Sequence, residues 1–198
     1  VLSRMNDAMI ARGPDGEGIW ISTDARIGFG HRRLSIIDLT DTGAQPMAHD
    51  NGRLMITFNG EIYNFRELRA ELEAEGRQFR SESDTEVLLH LYDRYGADMV
   101  GRLRGMFALA IHDRERRGIF LARDGFGIKP LYFTDDGATF RFASQVKTLL
   151  AGGGATRLAA TKNRCQLDRV AGLFQSSNQQ TTDAPVPGRD RRGWRVQR

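Results

Sequence analysis

The chain has 198 residues and a net charge of +4, enough for one domain with a sizeable core, or one domain plus an extension. Its single cysteine, Cys165, excludes an internal disulfide framework and a cysteine-rich zinc site, and no apolar run reaches the roughly 20 residues of a membrane-spanning helix. The basic charge sits at one end: residues 155–198 carry nine Lys and Arg against three Asp and Glu, whereas residues 1–154 carry 20 against 22.

The first residues, Val1 to Asn6, have neither the basic start nor the apolar centre of a secretory leader, and the expected location is cytoplasmic. Residues 3–11 place Met5, Ala8 and Met9 on one face and predict a short amphipathic helix with Ser3 as a candidate N-cap. Arg12-Gly13-Pro14-Asp15-Gly16 is dense in turn formers. Strands are predicted at 18–22 and 26–31, followed by Arg32 and Arg33 ahead of an apolar group at 34–37 that could wall a pocket. Residues 40–53 lack periodicity and read as a long loop of the kind that often carries function.

Met55, Ile56 and Phe58 end a predicted strand at 54–58, and Phe65, Leu68 and Leu72 follow at helical spacing, predicting a helix at 66–75. Asn59 and Gly60 are thereby expected at a strand exit. Asn-Gly is a common hairpin turn, yet the Glu-, Leu-, Ala- and Arg-rich stretch after it favours a helix over a second strand. A side-chain amide beside a glycine N–H also offers two donors that could face one developing oxyanion. Ser83-Asp84-Thr85-Glu86 matches a capping box, opening a helix with Val87, Leu88, Leu91, Tyr92 and Tyr95 on one stripe. Asp84 suits the first turn of that helix through the dipole alone.

From Gly105 the period becomes that of strands, at 106–111, 118–122, 131–133 and 139–143, with a last helix from Ser144 to Leu150. The glycines of Arg123-Asp124-Gly125-Phe126-Gly127 form no dinucleotide fingerprint, and no phosphate loop occurs. After Leu150 come three glycines, then a stretch without glutamate or sustained periodicity, the composition of disorder. The expected division is a domain at 1–150 and a basic tail at 151–198 that reads as disordered or as a shifted frame. Helices and antiparallel strands in this order indicate an α+β fold.

Seven blocks, RGPDG (12–16), HRRLSIID (31–38), FNGEIYNF (58–65), SDTEVLL (83–89), RGMFALAIHD (104–113), ARDGFGIKPLYF (122–133) and FASQVKTL (142–149), together resemble the glutaminase domain of glutamine-hydrolysing asparagine synthetases. These are class II glutamine amidotransferases with an N-terminal nucleophile. The resemblance implies a four-layer αββα sandwich of two stacked antiparallel sheets. It also implies hydrolysis of glutamine to glutamate and ammonia, attack by an N-terminal cysteine whose own α-amine is the base, and transfer of the ammonia to aspartate. By the same resemblance the Asn59 side chain and the Gly60 N–H would bind the oxyanion. Arg33 would hold the substrate carboxylate, Asp84 its ammonium, and Glu61 would line the pocket. A guanidinium and an acid also suit the two ends of a zwitterionic amino acid on charge alone.

Set against the family pattern, the sequence is expected to lack the cysteine-bearing first strand, and Cys165 cannot replace it, lying in the tail without a free α-amine. It is also expected to lack the synthetase domain that uses ATP and Mg²⁺, so no cofactor or metal is expected in this chain and no hydrolysis by the chain alone. Gln145 stands where the family usually has glutamate. A second reading is a pseudo-glutaminase that binds glutamine without cleaving it, and a third is an amidotransferase serving another acceptor. Nucleic-acid binding through the tail is disfavoured, because no aromatic interleaving or base-reading motif accompanies the arginines.

Overall fold

A computed structural model describes residues 1–33, 43–49 and 51–153. The apolar group expected at 34–37, part of the loop expected at 40–53, Cys165 and the basic tail lie outside the described residues.

Among the described residues the strand-forming stretches give eight strands: β1 (Gly16–Ile21), β2 (Gly28–Arg33), β3 (Met47–Ala48), β4 (Leu54–Ile62), β5 (Gly105–Asp113), β6 (Gly118–Arg123), β7 (Tyr132–Asp135) and β8 (Phe140–Ala143). Four helices accompany them: α1 (Leu2–Asp7), α2 (Phe65–Ala74), α3 (Asp84–Tyr95) and α4 (Val146–Ala151). The sequence-based elements recur with shifted ends. The helix expected at 3–11 stops at Asp7 and continues as a separate 3-10 turn at Ile10–Arg12, and Ser3 does not cap it.

Strands β3-β4-β5-β6 form one antiparallel sheet, and β1–β2 and β7–β8 form two antiparallel hairpins. Side chains alternate across the sheet with period two, which sorts its two faces. Leu54, Ile56, Phe58 and Ile62 of β4, Leu109 and Ile111 of β5 and Phe120 of β6 join Leu68 and Leu72 of α2 and Val87, Leu88 and Leu91 of α3 in one core. The opposite face, with Ala110, Ile119, Leu121 and Met55, packs against Phe29 of β2 and against Phe133, Phe140 and Phe142 of the other hairpin. Beyond the hairpins, Met5 of α1 and Leu149 of α4 meet Ala143. The order helix, sheet, hairpin pair, helix is a four-layer αββα sandwich. Its second sheet layer is two hairpins that share no ladder among the described residues.

Two expectations change. The strand expected at 54–58 runs on to Ile62, because β5 pairs with every residue from Leu54 to Ile62, Asn59 and Gly60 included. Asn59 and Gly60 are therefore neither a hairpin turn nor a strand exit. The capping box also forms by halves: Ser83 accepts from the Thr85 N–H, but Glu86 turns away and accepts from the N–H groups of Arg80 and Ser81 and from the Ser81 hydroxyl. That tie anchors the segment leading into α3. The helix is buried beyond its predicted stripe, with Leu89 and His90 also inside, because it lies between α2 and the sheet.

Ion pairs and buried carboxylates fix the ends of these elements. Arg53, just before β4, pairs with Asp93 of α3 at 2.9 Å and Asp113 of β5 at 3.3 Å. Asp124 accepts from the N–H groups of Phe107, Ile128 and Lys129. Replacing it by alanine strands three donors, one of them buried, and Asp124→Ala is expected to cost about 2–4 kcal/mol. Urea denaturation of the variant against the parent chain measures it.

Candidate functional site

A cavity of about 1110 Å³ lies between the hairpin layer, the four-stranded sheet and the outer helices. Its lining includes Arg33, Asn59, Gly60, Glu61 and Asp84, so all five sequence-predicted site residues meet at one space.

Strand periodicity explains the first part of that convergence. On β2, Phe29 faces the sheet, and so by alternation do His31 and Arg33; on β4, Met55, Thr57, Asn59 and Glu61 share the face turned toward them. The layers are tied at the site where His31 Nδ1 meets Thr57 Oγ1 at 3.2 Å. Arg32, pointing the other way, is committed to Asp7, Glu17 and the Asn6 carbonyl. The turn at 12–16 lies directly on β2: the Asp15 N–H donates to the Arg33 carbonyl, and a Cβ on Gly13 would come within 2.5 Å of the Arg32 backbone.

Backbone direction explains the second part. Phe107, opposite Gly60, exchanges its N–H and C=O with Asp124 on the β6 side, so Gly60 turns its own N–H away from β5 toward the open edge of β4. The same edge carries the N–H groups of Phe58 and Ile62, which donate to Gln45 Oε1 and Asp84 Oδ2. Gly60 lies between these two ties. A Cβ at Gly60 would come within 2.2 Å of the Met106 carbonyl, so no larger residue fits without displacing β5.

Asp84 is the first residue of α3 and 5 % exposed. Burial pushes its carboxyl up to about 6, with Glu61 adding to the rise while the Ile62 and Thr85 N–H groups oppose it. His31 is pushed the other way, down to about 4, by burial and by the neighbouring Arg33 charge, which keeps its imidazole neutral. Taken together, the cavity wall offers a guanidinium, a buried carboxylate, a side-chain amide and an outward-facing peptide N–H.

Three polar groups escaped the sequence reading. Thr57 alternates with apolar Ile56 and Phe58, a signal that pointed to the strand but not to the pairing, and His31, between Gly30 and Arg32, had no such signal. Gln45 sat in an aperiodic loop whose only cue was the following proline.

On its far side the cavity is bounded by β2, β8, α1 and α4. Both amide atoms of Asn6 and the Thr148 hydroxyl are buried there without a hydrogen-bond partner among the described residues.

The glutamine amidotransferase domain family matches residues 1–183. The chain belongs to this family. It is 41 % identical over 177 residues to the glutamine-hydrolyzing asparagine synthetase 3 of Bacillus subtilis, covering 88 % of this chain and 28 % of that protein. Asparagine synthetase 1 of the same organism is 47 % identical over 150 residues, with 76 % and 23 % covered. The chain thus spans about a quarter of the length of these relatives. Among solved structures, the glutamine phosphoribosylpyrophosphate amidotransferase of B. subtilis superposes with a TM-score of 0.65 over 76 % of this chain and 40 % of that one, at 24 % identity. That likeness supports the fold of this amidotransferase domain.

The two shifted groups make opposite contributions to stability. A carboxyl held above its ordinary value binds its proton more tightly folded than unfolded, so the Asp84 contribution falls as pH rises from about 4 to about 6. A depressed histidine contributes stability above about 6.5 that is lost as pH falls toward about 4. In the parent chain the two slopes offset each other. Asp84→Asn is expected to be more stable at pH 7 by about 1–2 kcal/mol, and to lose stability on acidification from pH 6.5 to 4 more steeply than the parent, as read by denaturant titration at each pH.

Proposed function

We propose that this domain binds L-glutamine and supports attack on its side-chain amide, releasing ammonia and then glutamate. The observation that carries the reading is the convergence of Arg33, Asp84, Asn59 and Gly60 on one cavity. Glutamine presents a carboxylate, an ammonium and a neutral amide. The Arg33 guanidinium suits the first, ionised Asp84 the second, and the Asn59 side chain with the Gly60 N–H the third. Glu61 lines the pocket beside Asp84.

Attack on the amide carbon turns its carbonyl oxygen into an oxyanion, and the same two donors then bind a full charge. The nucleophile of this reading is a cysteine at the start of an additional strand seated between β2 and β8. Three features support that seat: among the described residues the two hairpins share no ladder, a cavity separates them, and Asn6 and Thr148 are buried there without partners. A strand main chain supplies both the N–H and the C=O that an orphaned carboxamide needs. The α-amine of that cysteine, with an ordinary pKa of about 7.7–8.0, takes and returns the proton. The sulfur forms a thioester as ammonia leaves, and water then releases glutamate.

By the family resemblance the reading takes aspartate as the ammonia acceptor, with ATP and Mg²⁺ expected in a synthetase part beyond this domain. We place the reaction in the cytoplasm by the same reading.

Calorimetry with L-glutamine is expected to give millimolar binding that strengthens as pH rises through about 6, since Asp84 must ionise to hold the ammonium. Arg33→Ala and Asp84→Asn should each weaken it at least tenfold; unchanged affinity in both would remove these residues from the pocket. The domain extended by a strand that begins with a processed cysteine should release glutamate, and Asn59→Ala in that protein should lower turnover by roughly 10²–10³. Full turnover in the variant would take Asn59 out of the oxyanion site.

A further inference from the structure

We infer that Gln45 is a positioning residue for recognition of the glutamine side chain: its carboxamide sets the spacing between the Asn59–Gly60 donors and the N-terminus of α3. The inference rests on the glutamine reading of the site and adds a residue that the reading does not need in order to stand.

Strand β3 pairs Met47 with Ile56 and Ala48 with Met55. Continued by two residues, that register sets Gln45 opposite Phe58, but β3 begins only at Met47 and the ladder does not reach this pair. The Gln45 side chain takes over where the backbone leaves off. Its Oε1 accepts from the Phe58 N–H at 2.6 Å, and its Nε2 donates to Thr85 Oγ1 at 3.2 Å. One amide therefore joins the residue before Asn59 to the residue after Asp84. At the other end of the same segment, Asp84 Oδ2 accepts from the Ile62 N–H at 3.1 Å. Asn59, Gly60 and Glu61 are held between two bridges to the start of α3.

Gln45 is itself fixed from behind. A Cβ on Gly18 of β1 would come within 2.1 Å of the Gln45 carbonyl oxygen, so β1 packs backbone to backbone against it. The carboxamide consequently cannot retreat, and its two hydrogen bonds set a distance instead of following one. Its role follows from the chemistry of the site: two donors on an otherwise open strand edge must hold their place relative to a carboxylate on a helix while charge develops, and a misplacement of about 1 Å costs on the order of 10² in rate.

The test uses the 198-residue chain and two probes, L-glutamine and L-norvaline. Norvaline keeps the carboxylate and ammonium but has no side-chain amide. Gln45→Met preserves the volume and removes both hydrogen bonds. It is expected to reduce the preference for glutamine over norvaline by about tenfold while norvaline affinity stays within about twofold, and Gln45→Glu, which still accepts from Phe58, should recover most of that preference. Equal weakening of both ligands means general loosening and overturns the inference, as does an unchanged preference. Should the parent chain bind neither ligand, the glutamine reading fails by itself. Amide hydrogen exchange then decides the strut: loss of protection at Phe58 in Gln45→Met with Ile62 still protected supports it, and unaltered protection at Phe58 refutes it.

Discussion

The structure depends on how α3 is clamped along β4. At one end Asp93 of the helix pairs with Arg53 just ahead of the strand, and at the other Asp84 accepts from the last strand residue, Ile62. Between these ties the apolar faces of both elements share one core, with Leu88, Leu91 and Ile56 essentially without solvent contact. Burial supplies most of the stabilisation, at about 25 cal/mol per Å² of apolar surface. The polar ties supply the register. Because the helix lies over the strand end to end, its N-terminus arrives beside the outward-facing peptide groups of β4.

That arrangement makes the site a by-product of an unfinished edge. Strand β3 covers only two residues of β4, so from Phe58 onward the edge has side chains for partners. An open edge invites association unless it is short, charged or covered. Here two of its three N–H groups are occupied by a carboxamide and a carboxylate, and the third belongs to Gly60. The same burial that lets Asp84 reach the strand raises its carboxyl to about 6, an energetic cost accepted at a position where a cationic ligand group would relieve it.

The opposite side of the cavity follows a different logic. There the boundary is made by hairpins and short helices, and polar atoms of Asn6 and Thr148 are enclosed without partners among the described residues. Leaving such groups unsatisfied costs about 1–3 kcal/mol each. The pocket is therefore braced by polar ties along β4 and α3, while its far side encloses polar groups that are unpaired among the described residues.

Much of this was written locally. Period-two alternation from Leu54 and from Gly105 fixed which residues face which layer, whereas Arg33, Asn59, Gly60, Glu61 and Asp84 were singled out by the family resemblance, with the charges of Arg33 and Asp84 also suiting the two ends of an amino acid, and the fold brings all five to one cavity. Three matters were not local. Whether Asn59-Gly60 bends or stays extended depends on β5, which pairs straight through both residues. Whether Glu86 closes its capping box depends on the competing N–H groups of Arg80 and Ser81. The part played by Gln45 depends on Gly18, Phe58 and Thr85, partners up to 40 residues away. Sequence pattern determines faces and chemistry because those are set within a few residues, whereas the direction of a hydrogen bond is decided by whichever partner the folded chain brings within about 3 Å.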